Sequence, residues 1–306
     1  MTATRPKPRA ILHVGPPKTA SSALQAWCHA NRDVLQAGGI RYGAVDTPQD
    51  PKHQWLVQAL RRGDFTRLQA EVDALRDDPG QALVLSCEGI MVHRMTVPAA
   101  HWQQFREVMS GCETTLFLVR RDPESWLASL WKQQVINPVP PGGRLQVADP
   151  QAFARIAGVR GMMDLPGLAR DLSARTGAAQ AVIAEMATML DDFRALLALP
   201  PEVETRALPR ANEALPDAFI SVYRQLAGHA TDVPALRLAF FALFVEGAPT
   251  SNIMLSNVAR RFARVGEDLR REALDVLLAA LGESRFAKPE DAALARRIRK
   301  AALALG

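Results

Sequence analysis

The sequence predicts an α/β protein, a parallel sheet flanked by helices with a helical C-terminal portion. Two observations lead there. Four short runs, Ala10–Val14, Gly39–Tyr42, Ala82–Cys87 and Thr114–Val119, are apolar almost throughout and are separated by segments of helical pattern. Strands without a polar face belong in a sheet covered on both sides, which helical crossovers provide. From Ala211 onward the pattern is almost entirely helical. A length of 306 residues suffices for one large α/β domain or two smaller ones. We expect a single domain over 1–306, with its core at about 9–200 and the helical portion at about 211–306.

The elements follow in order. After the first strand come Gly15-Pro16-Pro17-Lys18 and Thr19-Ala20-Ser21-Ser22, and then a helix. Leu24, Trp27, Cys28 and Leu35 share one face of that helix, and Gly38-Gly39 ends it. Gly39–Tyr42 is the second strand, and Trp55–Arg61 and Phe65–Leu75 form one or two helices before the third. After the fourth strand, Asp122 is placed to cap a helix whose first residue is Pro123, where a missing N–H costs nothing. Residues 137–150, "NPVPPGGRLQVADP", read as a long functional loop. Leu165–Thr176 is a helix, Ala181–Glu185 a last strand and Met189–Leu199 a helix. Near the C-terminus Arg296, Arg297, Arg299 and Lys300 read as a solvated helix face.

Composition narrows the function classes. A net charge of +5 favours an anionic ligand, but no dense Lys/Arg stripe interleaved with aromatics marks a nucleic-acid binder. Three cysteines without C-x-x-C spacing argue against a disulfide scaffold and a zinc site, and fit a reducing cytoplasm. No apolar segment near the N-terminus resembles a secretion signal. The longest apolar run, Leu238–Val245, is far short of the roughly 20 residues of a membrane-spanning helix.

The stretch "HVGPPKTASSALQAW", residues 13–27, carries the first chemical signal. A strand, a tight turn with one lysine, three hydroxyls and a helix start suit an anion. A helix N-terminus leaves about four N–H groups unpaired and carries roughly half a positive charge. Ser21 or Ser22 can cap the helix or donate to a phosphate oxygen, and Lys18 adds a point charge. The turn departs from the common phosphate loop G-x-x-x-x-G-K-[ST].

"TLFLVRRDPESWLASLWKQ", residues 115–133, repeats the plan of strand, charged turn and helix. Arg121 ends the strand, and Ser125 and Ser129, four apart, share a helix face. In a parallel sheet every strand opens its C-terminal end on one edge, where ligands bind. Arg121 and Ser129 can therefore meet a second anion near the first. Two anion sites on one edge suit a nucleoside with phosphate at both ends.

Together these motifs resemble those of sulfotransferases that use 3′-phosphoadenosine 5′-phosphosulfate. Pro17-Lys18-Thr19-Ala20-Ser21-Ser22 is similar to that family's P-K-[ST]-G-[ST]-[ST] loop for the 5′-phosphosulfate, and Arg121 with Ser129 has its spacing for the 3′-phosphate. His13-Val14-Gly15-Pro16-Pro17-Lys18-Thr19, Leu24-Gln25, "GIRYG" and "RANEAL" (Arg210–Leu215) resemble its bacterial branch. The resemblance spans about residues 10–215 and leaves the remainder without a motif. It implies a fold related to the P-loop nucleotide-binding proteins. It also implies transfer of a sulfuryl group to a hydroxyl or amine acceptor, 3′,5′-ADP as product and no metal. Gly15, Pro17, Lys18, Thr19, Ala20, Ser21, Ser22, Arg121 and Ser129 would hold the donor. Ala20 stands where the family usually has Gly, which costs about 1 kcal/mol or more only if φ there is positive.

Lys18 is expected to stabilise charge on the departing oxygen. Glu88, closing the third strand, is the expected general base on geometric grounds. His53 is the runner-up, with an ordinary pKa near 6.5 that suits the task better. His13 reads as a packed, hydrogen-bonded histidine, and His93 as a weaker candidate on a loop. Two other classes remain open: a small-molecule kinase with Glu88 as magnesium ligand, and a non-catalytic nucleotide-binding protein. Acceptor identity and oligomeric state are not readable. Acceptor choice belongs to loops, here 43–54 and 137–150.

Overall fold

The computed structural model describes residues 7–77, 82–137, 150–200, 202–208, 215–246 and 253–305. Most of the 137–150 loop and all but Leu215 of the "RANEAL" segment lie outside these residues. The described residues form two compact units. One takes the chain up to Trp126 and again from Arg155 to Leu208; the other takes Leu127–Asn137, Pro150–Ala154 and Leu215 onward.

The first unit contains a five-stranded sheet in the order β2-β3-β1-β4-β5. Its strands are β1 (Arg9–Gly15), β2 (Ile40–Tyr42), β3 (Ala82–Ser86), β4 (Glu113–Arg120) and β5 (Gln180–Glu185), and every pair is parallel. Between β1 and β2 lie α1 (Ser21–Ala30) and α2 (Arg32–Ala37). Next come α3 (Trp55–Arg62) and α4 (Thr66–Asp77), then α5 (Gly89–His93) and α6 (Ala99–Met109) between β3 and β4. After β4 follow α7 (Pro123–Ile136), α8 (Pro150–Ala154), α9 (Ala157–Met163) and α10 (Leu165–Thr176), and after β5 comes α11 (Met189–Leu197).

Alternation along β1 builds two cores. Ala10, Leu12 and Val14 pack on one side with Leu56, Leu68, Phe105 and Leu172, from α3, α4, α6 and α10. Ile11 faces the other side with Trp27 of α1 and Phe193 of α11. Each Val, Leu, Ile or Phe among them, once fully buried, contributes roughly 1.5–3 kcal/mol. The two faces also locate the ligand edge. The connection from β1 leaves over the α1 side, whereas α5 and α6 after β3, and α10 after β4, pack on the other. The chain therefore parts around the C-terminal end of β1, the usual place for a ligand in an open parallel sheet. There β1 also skips a residue against β4, since His13 faces Phe117 but Gly15 already faces Leu118. Such a bulge re-aims the strand end.

The second unit is helical. The later part of α7 and helices α12 (Asp217–His229), α13 (Val233–Val245), α14 (Ile253–Arg264), α15 (Glu267–Glu283) and α16 (Pro289–Leu305) share a core with Phe219, Tyr223, Phe240 and Phe241. α13 is apolar nearly all round because it is the buried member, as expected for a helix without a solvated face. Arg296, Arg297, Arg299 and Lys300 are exposed on α16, as their pattern predicts. No helix among the described residues is long and apolar enough to cross a membrane.

Candidate functional site

The loop from β1 to α1 is held by its carbonyls. Thr19 Oγ1 donates to Pro16 O at 2.6 Å, Trp126 Nε1 to Pro17 O at 2.8 Å, and Arg121 Nη1 to Lys18 O at 3.0 Å. Three consecutive acceptors are thus tied to side chains. The donors are left over. Among the described residues no acceptor meets the backbone N–H groups of Lys18, Thr19, Ala20, Ser21 or Ser22, whereas Ala23 and Leu24 both bond Ala20 O at 2.9 and 3.1 Å. Lys18 (φ 68°) and Ala20 (φ 62°) are left-handed while Thr19 between them is not. This alternation turns successive N–H groups toward one concavity, a backbone nest for anions. Glycine is needed at Gly15, whose φ is 101° and whose added Cβ would stand 3.2 Å from Pro17 N.

Ala20 is the N-cap of α1, and no side chain caps the helix. The expectation that Ser21 or Ser22 caps it is therefore corrected: they lie one and two residues too late, inside the first turn. Ser21 Oγ reaches Pro16 O at 3.5 Å, and the hydroxyl acts on Glu88 by favouring its ionised form. The condition set for Ala20 is met on the costly side, because its φ is positive.

Glu88 does not close the strand as expected: β3 ends at Ser86 and Glu88 is the N-cap of α5, with its Cβ 3.6 Å from where Gly15 would carry one. Burial raises its pKa, and Lys52, the Ser21 hydroxyl and Lys18 act against that rise. Lys18 is shifted down by burial, with Glu88 opposing and Arg121 adding to the shift. Lysine, carboxylate and guanidinium from just beyond the ends of β1, β3 and β4 thus share one electrostatic neighbourhood. Arg121 is fixed further by its Nε, which donates to Ser125 Oγ at 3.2 Å. Asp122 caps α7 as expected, accepting from Ser125 N at 2.9 Å. Ser129 lies one turn beyond Ser125, half-buried, in the part of α7 that belongs to the second unit.

The histidines are placed differently. His53 is fully buried; its Nδ1 accepts from Ser86 N at 2.9 Å and its own backbone N–H donates to Ser86 O at 3.0 Å. Its ring meets Tyr42 edge-on with centroids 4.7 Å apart. Burial lowers its pKa, and the lone pair a base would use is already engaged. His13 is buried beside Ser86, with Nδ1 and Ser86 Oγ 2.7 Å apart, and burial lowers its pKa to about 4. His93 ends the short helix α5 instead of lying on a loop, and burial followed by the Arg61 charge lowers its pKa.

Four residues escaped the sequence reading. Ser86 is a hub, bonding His13, His53 and, through Gln25 Nε2 at 2.9 Å, α1. Trp126 holds Pro17 O. Lys52 and Asp50, paired at 3.2 Å, bring a second cation to Glu88 from the 43–54 loop. The one available signal was that loop's charge, "DTPQDPK", ahead of His53.

No protein-family model, no curated protein and no solved structure matches this chain.

Proposed function

We propose that this chain is a sulfotransferase that moves a sulfuryl group from 3′-phosphoadenosine 5′-phosphosulfate to a hydroxyl or amine acceptor. The observation that carries the proposal is the β1–α1 loop. Its carbonyls are consumed by Thr19, Trp126 and Arg121, its N–H groups from Lys18 to Ser22 are left over, and Glu88 stands beside it. A nest of free donors flanked by a lysine fits a phosphosulfate without requiring further groups.

The donor supplies an activated sulfur–oxygen bond; the protein's part is positioning and charge. The N–H groups of Lys18–Ser22 and the Ser22 hydroxyl hold the 5′ end, and Arg121 is proposed for the 3′-phosphate. Lys18 Nζ stabilises negative charge on the bridging oxygen as its bond to sulfur breaks. Glu88 accepts the acceptor's proton as the new sulfur–oxygen or sulfur–nitrogen bond forms. Its raised pKa keeps it basic enough for that task while the neighbouring lysines favour its ionised form. Geometry favours Glu88 over His53, whose Nδ1 is occupied inside the core.

Calorimetry with 3′,5′-ADP and 5′-AMP tests the reading. The proposal expects a preference for 3′,5′-ADP of about 10- to 100-fold, the value of a charge-assisted contact set. Equal affinity for the two nucleotides refutes it.

A further inference from the structure

The second unit contains a cleft of about 550 Å³ that the proposed reaction does not use. Its walls come from three places: α7 gives Trp131 and Lys132, α12 gives Asp217, Ser221 and Arg224, and Lys288 precedes α16. Three cations against one carboxylate leave the lining net positive. Asp217 is paired with Lys132, and that bond together with the Lys288 charge holds its carboxyl below the usual range. The guanidinium of Arg224, exposed at the rim, stands 5.7 Å from the Trp131 ring centroid, a cation–π contact that orients it.

Ser221 sets a second requirement. Its Oγ lies 2.6 Å from Asp291 Oδ2, and Asp291 is only 4% exposed. A hydroxyl that close to a carboxylate donates to it. With its proton committed inward, Ser221 offers the cleft only lone pairs, which accept from a ligand O–H and repel an oxyanion. Trp131 and Ile220 supply apolar wall for a carbon body. The volume falls within the roughly 300–1,000 Å³ range of small-molecule sites.

We propose that this cleft binds a hydroxylated organic anion of monosaccharide size, a sugar carrying a carboxylate, sulfate or phosphate group. Arg224, Lys132 and Lys288 take the oxyanion, and Ser221 accepts from a ring hydroxyl. The site is independent of the sulfotransferase reading.

Titration calorimetry on the full chain with glucuronate and glucose 6-sulfate, against glucose and inorganic sulfate, tests this. Both charged sugars should bind about 10-fold or more tightly than either control, since each lacks one half of the recognition. Arg224→Gln and Lys288→Gln, both at exposed positions, should each weaken the charged sugars by about 10-fold and leave the melting temperature unchanged. Saturating 3′,5′-ADP should displace neither sugar. Inorganic sulfate binding as well as glucose 6-sulfate would mean a plain anion site. Glucose matching glucuronate, no binding by any sugar, wild-type affinity in both variants, or displacement by 3′,5′-ADP would each overturn the assignment.

Discussion

Ala20→Gly should stabilise this protein, against the usual direction of such a change. Ala20 has φ 62° and ψ 17°, where an L-residue's Cβ crowds its own carbonyl. That conformation costs roughly 1–2 kcal/mol, and glycine escapes the cost. Glycine returns part of the gain, about 0.4–1 kcal/mol, because its unfolded chain has more freedom to lose. The net expectation is a gain of about 0.5–1 kcal/mol. Urea unfolding followed by tryptophan fluorescence measures it, and Trp27, Trp55, Trp102 and Trp126 all report on the first unit. With a slope of about 2 kcal/mol per molar, the midpoint should rise by about 0.3–0.5 M at unchanged slope. Ala198 provides an internal control. It ends α11 at φ 56°, also left-handed, in the same unit. Ala198→Gly should give a comparable gain. If Ala198→Gly raises the midpoint and Ala20→Gly lowers it or leaves it unmoved, the β1–α1 loop does not hold position 20 left-handed and the nest geometry fails with it.

Further predictions concern the charged groups. Lys18→Ala should lower turnover by about 10²–10³ with the melting temperature kept, the scale for removing one charge-stabilising group; near-normal turnover removes Lys18 from the mechanism. Arg121→Ala loses the bonds to Lys18 O and Ser125 Oγ and should weaken 3′,5′-ADP binding by about 10- to 100-fold in calorimetry. The raised pKa of Glu88 means that the folded state holds the proton more tightly than the unfolded one. Stability from this group is therefore present below the ordinary carboxylate pKa and is lost as pH rises through the folded value. Glu88→Gln should be more stable than wild type at neutral pH in denaturant titrations while losing the turnover that rises over the same window. For His13 the sign reverses: its folded pKa of about 4 lies below the ordinary value, so stability is lost as pH falls from 6.5 toward 4. That share is about 3 kcal/mol, and His13→Gln should remove it from the acid limb of the stability curve.

The sheet was legible because its strands are buried on both faces. Ala82–Cys87 and Thr114–Val119 have no polar side to confuse with a helix stripe; the observed β3 ends one residue earlier, and β4 extends one residue further at each end. β5, expected at Ala181–Glu185, begins one residue earlier, and as an edge strand it is largely exposed. Cap chemistry read well where it is local: Asp122 and Pro123 begin α7 as expected. It misled at α1. Serines after a turn suggest a capped helix start, but here the N-cap falls to Ala20 and the Ser21 hydroxyl points back to Pro16 O.

What the sequence could not supply was the fate of the loop's carbonyls. Arg121 and Trp126 lie more than a hundred residues from Lys18 and Pro17, and only the adjacency of β1 and β4 brings them together. This changes what Arg121 is for. Spacing alone paired it with Ser129 as an anion contact, whereas in the fold Nη1 and Nε already serve Lys18 O and Ser125 Oγ. Two of its five N–H donors are spent on shape, and the others meet no acceptor among the described residues. Under the proposed reaction the same guanidinium would shape the nest for one phosphate and offer charge to another. Lysine at this position would keep the charge but lose the fork that serves two acceptors at once. Arg121→Lys should therefore separate the roles: nucleotide affinity falls nearly as far as in Arg121→Ala if shape dominates, and stays near wild type if charge alone matters. The two bonds in the structure favour the first outcome, and calorimetry on the two variants side by side decides it.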